Sequence, residues 1–291
     1  MSTLRIWMDA VRPKTMGAAF APVLIGTAMA YAADAAHWGA ALCALGGAVM
    51  IQVGTNFAND YFDFIKGADT EERLGPTRAT AAGLIRPEAM RLAFILAFLC
   101  VLPMGGFLLY RAGWPLLWVG VLSIASGILY TGGPAPLGYL GLGDLFVLVF
   151  FGPVAVGGTF YVQALTLPWE VIVAGLGPGL LSTSMLVVNN LRDVDTDRKA
   201  GKRTLAVRLG SRFARLEFTA TIIGACAIPV GLAIWTGAHL FALSAVCVLL
   251  PAVPVMRRVW TQQGAALNPC LGASGRLLLA YSVLFSIGWV L

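Results

Sequence analysis

Charge is what this chain lacks most. Asp, Glu, Lys and Arg make up 12% of its 291 residues, about half the roughly 25% of an ordinary soluble domain. So little charge cannot coat a globule of this size, and a soluble fold is excluded. No run of about ten residues alternates apolar and polar, which rules out a transmembrane barrel. Histidine is nearly absent, and His37 and His239 both fall in loops away from the acidic clusters described below. The five cysteines (Cys43, Cys100, Cys226, Cys247, Cys270) keep no CxxC or other ligand spacing. They read as small packing residues. The N-terminal stretch MSTLRIWMDAVRPKT has no short apolar core followed by a cleavage site, so no removed signal peptide is expected.

What is abundant is apolar sequence, 58% of residues, with a mean hydropathy of +0.81. Long apolar runs recur over the whole length, the mark of a polytopic membrane protein. In lipid every backbone polar group must be satisfied internally, so without strands the spans are helices. The expectation is an all-α chain, residues 1–291, forming one membrane-embedded domain. Nine spans are read, at 16–33, 38–58, 89–110, 114–131, 142–163, 169–190, 214–235, 239–256 and 272–291. Gly175 and Gly179 match GxxxG, a spacing that 34 glycines produce by chance, and no weight is placed on it.

The loops after the even-numbered spans hold nearly all the charge. With a cytoplasmic N-terminus, 19 of the 20 Lys and Arg lie on the cytoplasmic side, and only Arg111 lies outside. That asymmetry sets the orientation and puts the C-terminus outside. The net charge of +6 is therefore topological, and nucleic acid is not an expected partner.

Two of these loops also carry acids. Asn56–Arg78 holds Asp60, Asp63, Asp69, Glu71 and Glu72 among Lys66, Arg73 and Arg78. Asn189–Arg208 holds Asp193, Asp195 and Asp197 among Arg192, Arg198, Lys199, Lys202 and Arg203. Both follow even-numbered spans, so they share one membrane face. Asn56, Asp60 and Asp63 stand at i, i+4 and i+7, and Asn189, Asp193 and Asp197 at i, i+4 and i+8, one helical stripe each. Ionised carboxylates so placed repel unless a cation lies between them. An oxygen donor set without His or Cys suits a hard ion such as Mg²⁺, bound through carboxylates, waters and phosphate oxygens. The interleaved Arg and Lys, with Arg12 and Lys14 ahead of the first span, suit phosphate oxygens. The glycine-rich fourth–fifth loop brings Tyr130, Tyr139 and Asp144 to the same face.

At these residues the chain resembles the UbiA-type intramembrane prenyltransferases. The carrying motifs are Asn59-Asp60-x-x-Asp63 with Asp69 beyond, and Asp193-x-x-x-Asp197. RPKT at 12–15, NDYFDFIKGADTEERLGPTR at 59–78, YTGGP at 130–134 and NNLRDVDTDRKAGKRTLAVRLG at 189–210 point to the branch that prenylates 1,4-dihydroxy-2-naphthoate. The resemblance implies a nine-helix bundle with a central cavity facing the cytoplasm, in the cell inner membrane. It implies that Asp60, Asp63, Asp193 and Asp197 hold Mg²⁺ and through it a polyprenyl diphosphate. Arg12, Asn56, Asn59, Lys66, Asp69, Arg73, Arg78, Asn189, Asn190, Lys202 and Arg203 are then candidates for the remaining diphosphate contacts. Many members carry a YxxxK element in the fourth–fifth loop. Here Tyr130 is followed by Thr-Gly-Gly-Pro, so Lys14 or Lys66 is expected to take that lysine's place. Tyr130, or Phe57 and Phe62, are the candidates for stabilising an allylic cation, Tyr139 for contacting substrate, and Lys14 for the acceptor's carboxylate. The expected product is demethylmenaquinone; 4-hydroxybenzoate is the alternative acceptor. Transport is disfavoured because the span interiors are nearly free of ionisable residues.

Overall fold

The chain was described from a computed structural model, which covers residues 2–68 and 74–291. Its helices are α1 Thr3–Val11, α2 Gly17–Ala32, α3 Trp38–Ile65, α4 Pro87–Ala112, α5 Trp114–Leu129 and α6 Gly143–Ala164. They continue with α7 Trp169–Arg192, α8 Val194–Lys199, α9 Leu205–Leu209, α10 Ser211–Thr236, α11 Leu240–Thr261 and α12 Gly264–Val290. No strand occurs among the described residues.

An apolar helix covers each expected span, but their lengths differ. Seven (α3, α4, α6, α7, α10, α11, α12) are long and apolar enough to cross a bilayer. The other two, α2 and α5, have 16 residues each, about 24 Å of helix against a hydrocarbon core of about 30 Å. α2 reaches spanning length only together with α1, across a bend of 50°. The second expected span ended at 58, where charge begins. The helix instead runs on to Ile65, carrying its polar end beyond the apolar stretch.

α7 is the axis of the bundle. Of its most apolar stretch 72% is buried, against 22% for α4 on the periphery. Leu181, Val188 and Leu191 of α7 pack with Ile25 of α2, Phe218 and Ile222 of α10, and Tyr281 and Phe285 of α12. A smaller cluster of Phe57, Met90, Phe94 and Phe98 joins α3 to α4. Gly175 and Gly179 prove to matter: a Cβ on Gly179 would lie 2.5 Å from the Leu148 carbonyl oxygen, and one on Gly175 2.8 Å from Pro153 backbone atoms. These two glycines let α7 pack against α6 backbone to backbone, where α6 bulges into a π-turn at Phe150–Val154.

The loops after alternate long helices gather at opposite ends. At one end His37 caps α3 by accepting from the Ala40 N–H, and its own N–H donates to Gln163. Arg111 donates to the Val162 and Gln163 carbonyls at the end of α6, where a cation complements the helix dipole. His239 stacks on Trp289 with ring centroids 4.0 Å apart. Both histidines have structural partners and lie far from the acids. The end that holds the carboxylates is organised differently.

Candidate active site

Asp60 and Asp63 occupy the last turns of α3, where the helix leaves its apolar stretch, and are 2% and 1% exposed. Burial of two carboxylates one turn apart requires donors, and the chain supplies them from the loop that folds back. Asp60 Oδ2 and Oδ1 accept from the backbone N–H groups of Ala79 (3.1 Å) and Thr80 (3.0 Å). Arg78 Nη2 donates to Asp63 Oδ2 at 2.9 Å. From the loop after α8, Lys202 Nζ reaches Asp63 Oδ1 at 3.3 Å, and Tyr139 Oη donates to the same oxygen at 3.3 Å. Asp63 thus ties together three loops that are distant in sequence.

The second motif begins where α7 ends. Asp193 is the C-terminal cap of α7, and the helical direction resumes in α8, with the Asp197 N–H donating to the Asp193 carbonyl at 2.7 Å. The Asp193 carboxylate takes a two-pronged hydrogen bond from the adjacent Arg192. Arg192 Nη1 also donates to Asn268 Oδ1 (3.0 Å) at the start of α12, and Asn268 Nδ2 donates to the Leu74 carbonyl (2.9 Å). Arg192 and Asn268 therefore clamp the second motif to the loop that covers the first.

Together these elements enclose a polar cavity of about 510 Å³. Its wall includes all four motif carboxylates, Asp60, Asp63, Asp193 and Asp197, with Arg12, Lys14, Asn59, Arg78, Tyr130, Tyr139, Asn189, Asn190 and Lys202. Thirteen of the candidates from the sequence thus converge. Three stand off the wall. Asn56 keeps the stripe spacing, but its amide turns to α1, donating to the Val11 carbonyl at 2.9 Å. Lys66 caps α3 and donates to the Gly133 carbonyl at 2.9 Å, with its ammonium 5.1 Å from the Tyr139 ring. The backbone N–H of Arg203 holds the Tyr139 carbonyl (2.9 Å), and its side chain is not on the wall. Asp69 and Arg73 lie outside the described residues. Asp144 is buried near Tyr130 without reaching the cavity.

Sequence reasoning missed Asp9, Thr131, Thr196 and Thr204 on the wall, and Asn268 behind it. The Thr131 hydroxyl donates to Asn59 Oδ1 at 2.9 Å, fixing the amide that faces the cavity. Asn268 alone carried a signal, a polar residue directly before Pro269 at the start of an apolar helix.

Tyr130 also lines a second, apolar cavity of about 230 Å³ between α2, α3, α4, α5 and α6. Its walls carry Ala18, Ala44, Gly47, Gly120 and Gly158, small residues that leave room for a chain. The arrangement is an amphiphile's mould, with a charged head chamber, an aromatic at the junction and an apolar slot beyond.

The donor set fits a hard divalent cation. The four motif carboxylates and Asp9 line one chamber, with no thiolate or imidazole on its wall. Among the described residues no three acidic, His or Cys groups converge on one point. This chamber therefore suits an ion that takes one or two carboxylates and completes its shell with water and phosphate oxygens. It does not suit an all-protein cage.

The model of the UbiA prenyltransferase family matches residues 19–283. A 1,4-dihydroxy-2-naphthoate octaprenyltransferase of Haemophilus influenzae is 38% identical over 98% of this chain and 96% of its own length. One of Mycobacterium tuberculosis is 39% identical over 97% and 96%, and one of Escherichia coli 37% over 99% and 96%. Among solved structures, a UbiA homologue from Archaeoglobus fulgidus bound to GPP and Mg²⁺ superposes with a TM-score of 0.66 at 14% identity, covering 97% of this chain and 99% of its own. A homologue from Aeropyrum pernix gives 0.68 at 17% identity, covering 96% and 97%. At such identities the structures speak for the fold. Family match, near-full-length relatives and the geometry of the two aspartate motifs agree: the chain belongs to the UbiA prenyltransferase family.

Proposed function

We propose that this protein transfers a polyprenyl group from polyprenyl diphosphate to 1,4-dihydroxy-2-naphthoate, with loss of CO₂, yielding the quinol form of demethylmenaquinone for menaquinone synthesis. The observation that carries the reading is the shared Tyr130 junction. It joins a chamber of five carboxylates and several cations to an apolar slot. The names of the relatives supply the acceptor. The reading places nine spans in the cell inner membrane, with the N-terminus and the chamber on the cytoplasmic side and the C-terminus outside. Its support is that all basic residues but Arg111 belong to the chamber's end of the bundle by the span reading.

The chain's own groups have separable tasks. Arg78, Lys202 and Lys14 offer guanidinium and ammonium donors to diphosphate oxygens. Asn59, Asn189 and Asn190 add neutral donors beside them. Bound Mg²⁺, held by carboxylates of Asp60, Asp63, Asp193 and Asp197, would neutralise the charge that grows on the leaving diphosphate. When the allylic C–O bond breaks, its electron pair leaves with that diphosphate. The Tyr130 ring stands where an allylic cation can lie against an aromatic face. The small-residue slot shields that cation from water, which would otherwise quench it. The electron-rich ring then bonds to the prenyl carbon, and the acceptor's carboxyl departs as CO₂, returning its bonding pair to the ring.

Asp60→Asn and Asp193→Asn test the reading in membranes supplied with Mg²⁺, donor and naphthoate. Each is expected to cut demethylmenaquinone formation by about 10²–10³-fold or more, the cost of removing one electrostatic stabiliser. Wild-type turnover by either variant would overturn the role of the carboxylates. Turnover of 4-hydroxybenzoate in preference to naphthoate would overturn the acceptor.

A further inference from the structure

We propose that the groove between α11 and α12 is a binding site for the phosphate headgroup of an anionic phospholipid. The groove, about 370 Å³, opens at the same end of the bundle as the carboxylate chamber but shares no wall with it. Arg258 and Arg276 flank it, and Pro251, Val255, Ala273 and Leu277 form an apolar floor. Both arginines are exposed, and among the described residues neither side chain has an ion pair or hydrogen-bond partner. No acidic residue occurs anywhere from 218 to 291, so this part of the chain has none of its own to offer them.

Depth makes the unpaired charge significant. Arg276 lies two turns beyond Asn268, about 12 Å further along α12, within an apolar span. An ionised side chain facing lipid at such a position is costly unless it reaches the interface or finds a counter-ion. Arg276 bends back: its Nη1 lies 3.8 Å from where a Gly272 Cβ would stand, one turn nearer the chamber end. Gly272 thereby leaves a path for the guanidinium to climb toward Arg258. Two like charges are thus aimed into one groove with an apolar floor below. A headgroup phosphate between them and an acyl chain along the floor satisfies both features at once, as basic pockets between membrane helices do for anionic lipids.

The test uses the purified full chain in neutral detergent. Phosphatidylglycerol, phosphatidylcholine of the same acyl chains and inorganic phosphate are titrated separately. Bound lipid is counted by native mass spectrometry, and the shift in unfolding temperature is recorded. Wild type is expected to retain phosphatidylglycerol over phosphatidylcholine. Arg258→Gln or Arg276→Gln should weaken that retention about fivefold each, and the pair about 25-fold, from roughly 1 kcal/mol per basic residue. Arg276→Lys, which keeps the charge, should keep the preference. Turnover with a short soluble donor in neutral detergent should not change in any of them. Equal retention of the two lipids by wild type, or undiminished retention by the double glutamine variant, would overturn the proposal. So would binding of inorganic phosphate as tight as that of the lipid, since the site would then serve a free anion.

Discussion

The two aspartate motifs have similar spacing and face one chamber, yet they are held in opposite ways. Asp63 is anchored by groups far away in sequence: Arg78, Tyr139 and Lys202 reach it from three separate loops. Asp193 is anchored by its neighbour, Arg192. The first motif is therefore a tertiary knot, and the second a local feature that clamps elsewhere through Arg192 and Asn268. Asp63 is sealed at 2% side-chain exposure, while Asp193 keeps 17%. A carboxylate that organises loops is bound up with stability, and one that leans only on its neighbour is freer to meet a ligand.

The largest expected effect separates the two. Asp63→Ala removes the acceptor shared by three donors, the buried Arg78 among them, a loss of about 3–5 kcal/mol. Asp193→Ala should lower stability by about half as much, because Arg192 keeps Asn268. Chemical unfolding of the two variants in detergent measures the difference. Equal losses would show that the two motifs are anchored alike. Asp60→Ala should cost about as much as Asp193→Ala. It strands the N–H groups of Ala79 and Thr80, at about 1–3 kcal/mol for buried donors left unmade. Asp60→Asn, which keeps one carbonyl acceptor, should lose less stability than Asp60→Ala while still losing turnover.

The same contrast explains what could be read in the sequence. The acids were legible because their spacing is local: i, i+4 and i+7 on a helix end is visible in one line of text. That the two motifs share one end of the bundle was legible because both follow even-numbered spans. The partners were not legible, since nothing near Asp63 announces Tyr139 or Lys202, and loop-to-loop pairing depends on how the bundle closes. Asn56 had the right period on the wrong side: the stripe is wide enough that its first member faces α1 instead of the chamber. Gly175 and Gly179 show the converse, a motif too common to trust that the α6–α7 crossing in fact requires. The slot beyond Tyr130 was not legible, because its width is set by small residues on five different helices.

The clamp offers a finer test. Asn268→Leu removes both hydrogen bonds that join Arg192 to the loop at Leu74, each worth about 1 kcal/mol. If the clamp serves the loop carrying Arg78, the expected result is a raised KM for the prenyl diphosphate with kcat changed less. A drop in kcat at constant KM would assign Asn268 to the chemistry of the second motif instead.

The smallest predicted effect isolates the contact between the motifs. A Cβ on Gly75 would stand 2.7 Å from Arg192 Nη2. A long side chain usually swings away from such a clash, but this guanidinium is pinned by Asp193 and Asn268. Gly75→Ala must therefore displace either the covering loop or Arg192, at about 1 kcal/mol, the low end of overpacking costs. With Asn268→Leu in the background one of the pins is gone, and Arg192 can yield. The two substitutions should then cost less together than the sum of each alone, by about 0.5 kcal/mol or more, the scale on which residues sharing a partner couple. Strict additivity in a double-mutant cycle on unfolding free energy would mean that Gly75 is crowded by something other than Arg192. The second motif would then be as independent of the first in space as it is in sequence.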